Sequence, residues 1–115
     1  MSILMKSKMI IDEGGNKRWC NSKGKRHRED GPAIEFLNGN KAWLINGKFH
    51  REDGPAIERT DGYKAWFIND ERHREDGPAI EYTGGCKVWY LNGVEYTEQE
   101  YKKKMRSKKI ESLYN

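Results

Sequence analysis

The nine residues HREDGPAIE occur three times in this chain of 115 residues, beginning at His27, His50 and His73. Self-similarity at a fixed period of 23 residues indicates a repeat architecture, in which each unit contacts only its neighbours along the chain. One tryptophan marks the equivalent position of each successive unit: Trp19, Trp43, Trp66 and Trp89. The repeat therefore constrains the fold more than any other feature of the sequence.

Aligned on these tryptophans, the chain divides into whole and half units. We expect a repeat domain over residues 1–97, made of a half-repeat (8–16), three repeats (17–40, 41–63 and 64–86) and a second half-repeat (87–97), followed by a basic helix and tail (98–115).

The turn residues inside each unit are those of a β-meander. Asn46-Gly47 and Asn92-Gly93 separate extended stretches and are typical of two-residue hairpin turns, in which both central residues need a positive φ. Asn38-Gly39 and its equivalents predict a second turn in each unit. The sequence thus predicts an all-β fold, a single-layer antiparallel meander of β-hairpin repeats, with a C-terminal capping α-helix.

The Asp-Gly-Pro step inside the long segment predicts a bend, because proline has no N–H for a ladder and glycine accepts unusual backbone angles. We expect the first half of this segment to pair with the tryptophan strand behind it and the second half with the strand ahead. On the tryptophan strand, Trp43 and Ile45 should share one face and Leu44 the other.

The unit resembles the MORN repeat and its variants, on the strength of its tryptophan, the turn glycine that follows, a histidine seven residues after the tryptophan, and a second turn glycine. The tandem HREDGPA form with W-x-x-N-G is similar to small repeat proteins common in tailed phages. The resemblance covers about residues 8–96 and implies an elongated, curved antiparallel sheet used for binding.

Apolar and charged residues each make up 35% of the chain, but the aromatic residues fall at periodic positions where a sheet can use them. The sequence contains no apolar run of 18 residues and no recognisable secretory signal, so we expect a folded cytoplasmic protein without membrane contact. Cys20 and Cys86 lie in different repeats, which predicts free thiols.

The C-terminal segment predicts a helix over residues 98–112. Thr97 and Glu100 have the spacing of a capping box, and Tyr101, Met105 and Ile110 are expected to pack on the last strands. The segment carries six basic residues against three acidic ones, a net charge of +3 out of +4 for the whole chain. The candidate contact residues here are Lys102, Lys103, Lys104 and Arg106.

The repeated His-Arg-Glu-Asp cluster is not expected to be catalytic or to bind a metal. Its copies should lie about 10 Å apart along the sheet, too far to share one ion, and the units have no common nucleophile. We expect the aspartate to cap the turn before Gly-Pro and the histidine to pack or hydrogen-bond near the tryptophan strand.

The arginine and glutamate of the same cluster are candidate binding residues, because one of two neighbours in an extended segment must face outward. The repeated pairs form either an exposed contact row or a cross-strand ladder of salt bridges. These residues are Arg28, Glu29, Arg51, Glu52, Arg74 and Glu75.

These features favour a non-enzymatic protein-binding module without a cofactor. The resemblance implies a small phage-encoded protein that binds and modulates or inhibits a host protein in the host cytoplasm, such as a component of a defence system. Two alternatives remain open: weak binding of a nucleic acid or nucleotide through the basic tail and the arginine row, and a structural repeat protein that assembles edge to edge into homo-oligomers.

Overall fold

A computed structural model describes residues 7–114 and has the form of a thin plate, with extents of 48 × 43 × 17 Å. Residues 1–6, at the start of the predicted repeat domain, and residue 115, at the end of the predicted tail, lie outside the described residues. The elements are β1 (Lys8–Ile11), β2 (Lys17–Cys20), β3 (Ile34–Glu35), β4 (Lys41–Ala42), β5 (Leu44–Ile45), β6 (Lys48–Phe49), β7 (Ile57–Glu58), β8 (Lys64–Ala65), β9 (Phe67–Ile68), β10 (Glu71–Arg72), β11 (Ile80–Glu81), β12 (Lys87–Leu91), β13 (Val94–Tyr96) and α1 (Glu98–Ser112).

Nine of these strands form one antiparallel sheet in the order β1-β2-β3-β4-β7-β8-β11-β12-β13. The remaining four form two small hairpins, β5-β6 and β9-β10, that continue the tryptophan strands of the second and third units. The prediction of an antiparallel β-hairpin meander with a C-terminal helix is therefore confirmed. The tryptophan strands of these two units are each divided in two at Trp43 and Trp66.

The Asn-Gly turns have the predicted geometry. Asn46 and Gly47 have φ values of 50° and 80°, and Asn92 and Gly93 have the same two values. In the third unit, Asn69-Asp70 adopts the same left-handed conformation without a glycine. Positive φ at both central residues matches the twist of the flanking strands, which explains why each hairpin closes in two residues.

The long segment pairs differently from the expectation, because each half contacts both neighbouring tryptophan strands. In the second half, β7 lies between β4 and β8. In the first half, the His50 N–H bonds to the Trp43 carbonyl behind it, and the Arg51 N–H bonds to the Phe67 carbonyl ahead. The bend allows this double pairing, because it places both halves of the segment between the same two tryptophan strands.

Alanines occupy the most buried positions of this thin core. Ala33, Ala56 and Ala79 directly follow the bend and are fully buried. The Ala56 N–H donates to the Ala65 carbonyl at 2.8 Å, and the Ala56 carbonyl accepts from the Trp43 N–H at 2.7 Å. Larger side chains pack around them, including Phe49 and Phe67, whose ring centroids lie 5.3 Å apart.

The helix α1 spans the predicted residues 98–112, and both hydrogen bonds of the Thr97–Glu100 capping box are present. It packs against β12 and β13. Tyr101 is buried and Met105 half-buried, but Ile110 is 56% exposed, so its predicted packing is wrong. Nine residues separate it from Tyr101, and at 100° per residue this places it on the opposite side of the helix.

Both cysteines are free thiols, as predicted. Across residues 7–114, the structure contains no helix with the length and apolar character needed to cross a membrane.

Candidate functional site

The three HREDGP segments form identical bends, which we call corner 1 (residues 27–32), corner 2 (50–55) and corner 3 (73–78). At corner 2, the Arg51 guanidinium lies 3.8 Å above the ring of Trp43. It donates from Nε to Asp53 at 3.0 Å and from Nη1 to the Pro55 carbonyl at 3.1 Å and to Glu58 at 3.2 Å. The arginine therefore closes the bend from the inside.

Corners 1 and 3 repeat this arrangement. Arg28 lies over Trp19 and Arg74 over Trp66, at 3.9 and 3.8 Å, and each bonds to the aspartate two residues later and to the proline carbonyl. The three arginine side chains are only 19–22% exposed. Of each arginine–glutamate pair, the bend folds the arginine back over the tryptophan and leaves the glutamate, 37–86% exposed, as the outward-facing member. Their ion pairs lie within a repeat. Of the two predicted arrangements, an exposed contact row and a ladder of salt bridges, the arginines are therefore closer to the ladder.

The aspartate and glycine of the corner also differ from their predicted roles. Asp53 holds the Arg51 side chain and does not cap the turn before Gly-Pro. Gly54 has no positive φ, but a Cβ there would lie 2.9 Å from Arg51 Cζ. Gly31 and Gly77 would make the same clash with their own arginines. A Cβ at this position would have to displace the guanidinium, and glycine leaves that space free.

The histidine of each corner connects one repeat to the next. Nδ1 of His27 accepts the Asn46 N–H at 2.9 Å, Nδ1 of His50 accepts the Asn69 N–H at 3.1 Å, and Nδ1 of His73 accepts the Asn92 N–H at 2.9 Å. An accepting Nδ1 places the proton of the neutral ring on Nε2, which faces the glutamate of its own corner at 3.4–4.0 Å. The histidine thus orients the next two-residue turn, which is Asn-Gly after His27 and His73 and Asn69-Asp70 after His50.

The three histidines differ in burial although their motifs are identical. His27 is 2% exposed, whereas the side chains of His50 and His73 are 20% and 15% exposed. The first repeat has an inserted residue before His27, and its longer loop places Asn21 against Asn46 with an Nδ2–Oδ1 bond of 3.0 Å.

Replacing His27 with alanine should lower the free energy of unfolding by about 2–3 kcal/mol, because it leaves a cavity at the buried ring and removes the partner of the Asn46 N–H from a partly buried hydrogen bond. The same change at His50 should cost only about 1 kcal/mol, since water can reach the freed Asn69 N–H. Urea unfolding followed by tryptophan fluorescence measures both values. Equal losses at the two positions would contradict the difference in burial.

Open grooves separate successive corners. Groove 1, of about 770 Å³, lies between corners 1 and 2 with Trp43 and Ile45 at its floor. Groove 2, of about 810 Å³, lies between corners 2 and 3 with Trp66 and Ile68 at its floor. Both volumes are within the range of about 300–1,000 Å³ that is typical of ligand-binding clefts. Repetition has therefore produced two nearly equivalent clefts on the tryptophan face of the sheet.

The rims of these grooves expose carboxylates rather than cations. The side chains of Asp30, Asp53 and Asp76 are 87–89% exposed and Glu52 is 86% exposed, while the arginine charges are folded inward. The predicted residues Arg28 and Glu29 meet Arg51 and Glu52 at groove 1, and the pairs of corners 2 and 3 meet at groove 2 in the same way.

The basic residues of the helix form a separate surface. Lys102 pairs with Glu98 at 2.9 Å, and Lys103, Lys104 and Arg106 are exposed. Lys102 and Arg106 also line a small recess of about 320 Å³ beside Glu75, but Lys103 and Lys104 do not. Lys108, which sequence reasoning did not select, contacts Glu75 at 2.7 Å. The hydrogen bond from Lys108 is the main reason why the pKa of Glu75 is lower than the usual value for a glutamate.

Sequence reasoning also missed Tyr101 as a contact residue of corner 3. Its hydroxyl donates to the Arg74 carbonyl at 2.6 Å and accepts the Gly77 N–H at 3.3 Å. Burial is the main cause that raises the pKa of this hydroxyl. The helical spacing placed Tyr101 on the packed face, but nothing in the sequence indicated a backbone partner 24–27 residues away.

Residues 7–114 bring no three histidine, cysteine or carboxylate side chains together in the geometry of a metal site. Comparison with protein-family models, with curated proteins and with solved structures finds no match to this chain.

Proposed function

We propose that this chain is a non-enzymatic protein-binding module whose partner contacts grooves 1 and 2. The observation that carries the proposal is the pair of equivalent clefts, each with an aromatic and aliphatic floor and a carboxylate rim. Apolar floors with a polar rim are the usual composition of a protein interface. Two equal clefts side by side favour an extended partner, as concave surfaces of repeat proteins do.

The charge of the rim favours a partner that is basic at the contact. Glu52 and Asp53 stand between the two grooves and project into solvent. Complementary charge steers association and selects among partners more than it adds affinity. A basic segment of a protein is attracted to this surface, whereas a polyanion is repelled from it.

The biological setting belongs to the same proposal. The resemblance to MORN-variant repeat proteins of tailed phages supports a phage-encoded protein that acts in the host cytoplasm. Binding of a host protein, such as a defence-system component, would then modulate or inhibit that protein. The two grooves supply the contact surface for such an inhibitor.

Charge reversal at the groove rims tests the proposal. The double variant Glu29→Lys and Glu52→Lys should lose at least about ten-fold in affinity for a host protein captured by the wild-type chain. A matched control, Glu13→Lys with Glu111→Lys, makes the same change in net charge at exposed positions outside both grooves and should bind normally. Equal binding by the groove variant and the control would refute a role for the grooves.

Nucleic-acid binding is the second candidate, favoured by the exposed Lys103, Lys104 and Arg106 on α1. We expect only weak binding, because the nearby corner carries exposed carboxylates. Each phosphate contact adds about 0.7–0.9 to the slope of log affinity against log salt, so four contacts should make binding collapse between about 50 and 200 mM salt. A complex that survives physiological salt and is lost on changing Lys102, Lys103 and Lys104 to glutamate would establish this second function instead.

A further inference from the structure

The helix α1 begins where a fourth corner would follow the last tryptophan. Tyr96 stands at the position of the corner histidine and pairs with Trp89, and α1 starts two residues later. Leu91, the equivalent of the groove-floor residues Ile45 and Ile68, is only 5% exposed. Beyond corner 3 there is therefore an element of its own chain, whereas groove 1 lies beyond corner 1 and groove 2 beyond corner 2.

The contacts of α1 define what a corner can bind. The Tyr101 hydroxyl reaches the backbone at both ends of the bend, at the Arg74 carbonyl and the Gly77 N–H. Seven residues later, the Lys108 ammonium reaches the Glu75 carboxylate. The phenol satisfies two backbone groups of the corner, and the ammonium neutralises the charge beside them.

Corners 1 and 2 present the same groups without these partners. The carbonyls of Arg28 and Arg51 and the N–H groups of Gly31 and Gly54 make no hydrogen bond to any residue between 7 and 114. The carboxylate of Glu52 is 86% exposed, compared with 56% for Glu75 beneath Lys108, whereas Glu29 is 37% exposed and lies 3.4 Å from His27. The sequence HREDGP is identical at the three corners, and at each corner the arginine makes the same bonds to the aspartate and to the proline carbonyl.

We propose that corners 1 and 2 each bind a partner-protein segment that presents a tyrosine hydroxyl to the corner backbone and a lysine or arginine to the corner glutamate. The inference rests on the proposed function and names the chemistry of its partner. The helix α1 then contacts corner 3 in the same way that a partner segment contacts corners 1 and 2.

The choice of tyrosine follows from the backbone groups. Arg51 offers a carbonyl acceptor and Gly54 an N–H donor, and a phenol is both donor and acceptor, whereas phenylalanine is neither. Its ring adds apolar contact with a cleft floored by Trp43 or Trp66. A positive residue near it is needed because Glu29 and Glu52 would otherwise be desolvated without a partner.

A peptide of residues 97–113 of this chain is the probe, because it contains the tyrosine and lysine that corner 3 already accepts. Titrated into the full-length chain up to about 1 mM and followed by calorimetry, it should bind at two sites. The peptide with Tyr101→Phe should bind about ten-fold more weakly, and the peptide with Lys108→Glu should bind more weakly still. The full-length chain with Glu29→Lys and Glu52→Lys should lose both sites, and the chain with Glu13→Lys and Glu111→Lys should keep them.

Several results would overturn the inference. The first is no binding at about 1 mM, and the second is equal binding of the Tyr101→Phe peptide and the unchanged peptide. The third is binding to the chain with Glu29→Lys and Glu52→Lys, because the peptide would then be replacing α1 at corner 3. Self-association of the chain that the same double variant abolishes would name a second copy as the occupant instead. If the peptide fails while host-protein capture still depends on Glu29 and Glu52, the proposed function stands and only this partner chemistry fails.

Discussion

Replacing Arg51 with alanine should lower the free energy of unfolding by about 2–4 kcal/mol, far more than the roughly 0.5 kcal/mol typical of a surface substitution. The side chain makes three charge-assisted hydrogen bonds and a cation–π contact with Trp43, and only a fifth of it is exposed. Its removal leaves the Pro55 carbonyl without its donor and uncovers the tryptophan. Urea unfolding measures the loss, and Arg106→Ala at an exposed position of α1 is the control, expected within about 0.5 kcal/mol of wild type.

A double-mutant cycle with Gly54 distinguishes the packing of Arg51 inside the corner from a general effect of removing its charge. Gly54→Ala should cost about 1–2 kcal/mol, because its Cβ displaces the guanidinium. In the Arg51→Ala background the same change should be nearly neutral, since Gly54 has no positive φ and the space is then empty. A coupling energy above about 1 kcal/mol is expected for residues in contact. Additive losses would contradict the argument that glycine serves the arginine.

The turns and the helix could be predicted from sequence because local chemistry decides them. Asn-Gly has few alternatives to a left-handed two-residue turn, and the Thr97–Glu100 capping box specifies a helix start by reciprocal hydrogen bonds. The period of 23 residues then extended each local prediction to all copies. Topology followed because hairpins joined in series can pair only with their neighbours.

The interior of the corner could not be predicted in the same way. Alternation of side chains applies to a straight strand and requires only that one of Arg51 and Glu52 faces outward, whereas the Asp-Gly-Pro bend decides the choice by turning Arg51 back onto Trp43. Likewise, the acceptor role of His50 depends on a turn in the next repeat, 19 residues later. The exposed charge of the rim is acidic for the same reason, since folding removes one charged partner of each pair from the surface.

The largest single loss is expected from Tyr101→Ala, at about 3–5 kcal/mol, the range for removing a buried aromatic side chain. Tyr101 is 5% exposed, and it fixes α1 to corner 3 through the backbone of Arg74 and Gly77. Tyr101→Phe keeps the ring but leaves both backbone groups unpaired, so it should cost about 1–2 kcal/mol. Thermal and urea unfolding give both values, and the spectrum of the alanine variant should lose helix before sheet.

Ile110→Ala is the matched control on the same helix. Ile110 is 56% exposed on the side opposite Tyr101, so its truncation should change the free energy of unfolding by less than about 0.5 kcal/mol. If Ile110→Ala destabilised the chain as much as Tyr101→Ala, the helix would have to pack by its other face. If neither did so, α1 would not act as a cap. A graded order of alanine, phenylalanine and then the control is expected only if α1 is held at corner 3 by the tyrosine ring and its hydroxyl together, because the ring supplies the burial and the hydroxyl the register.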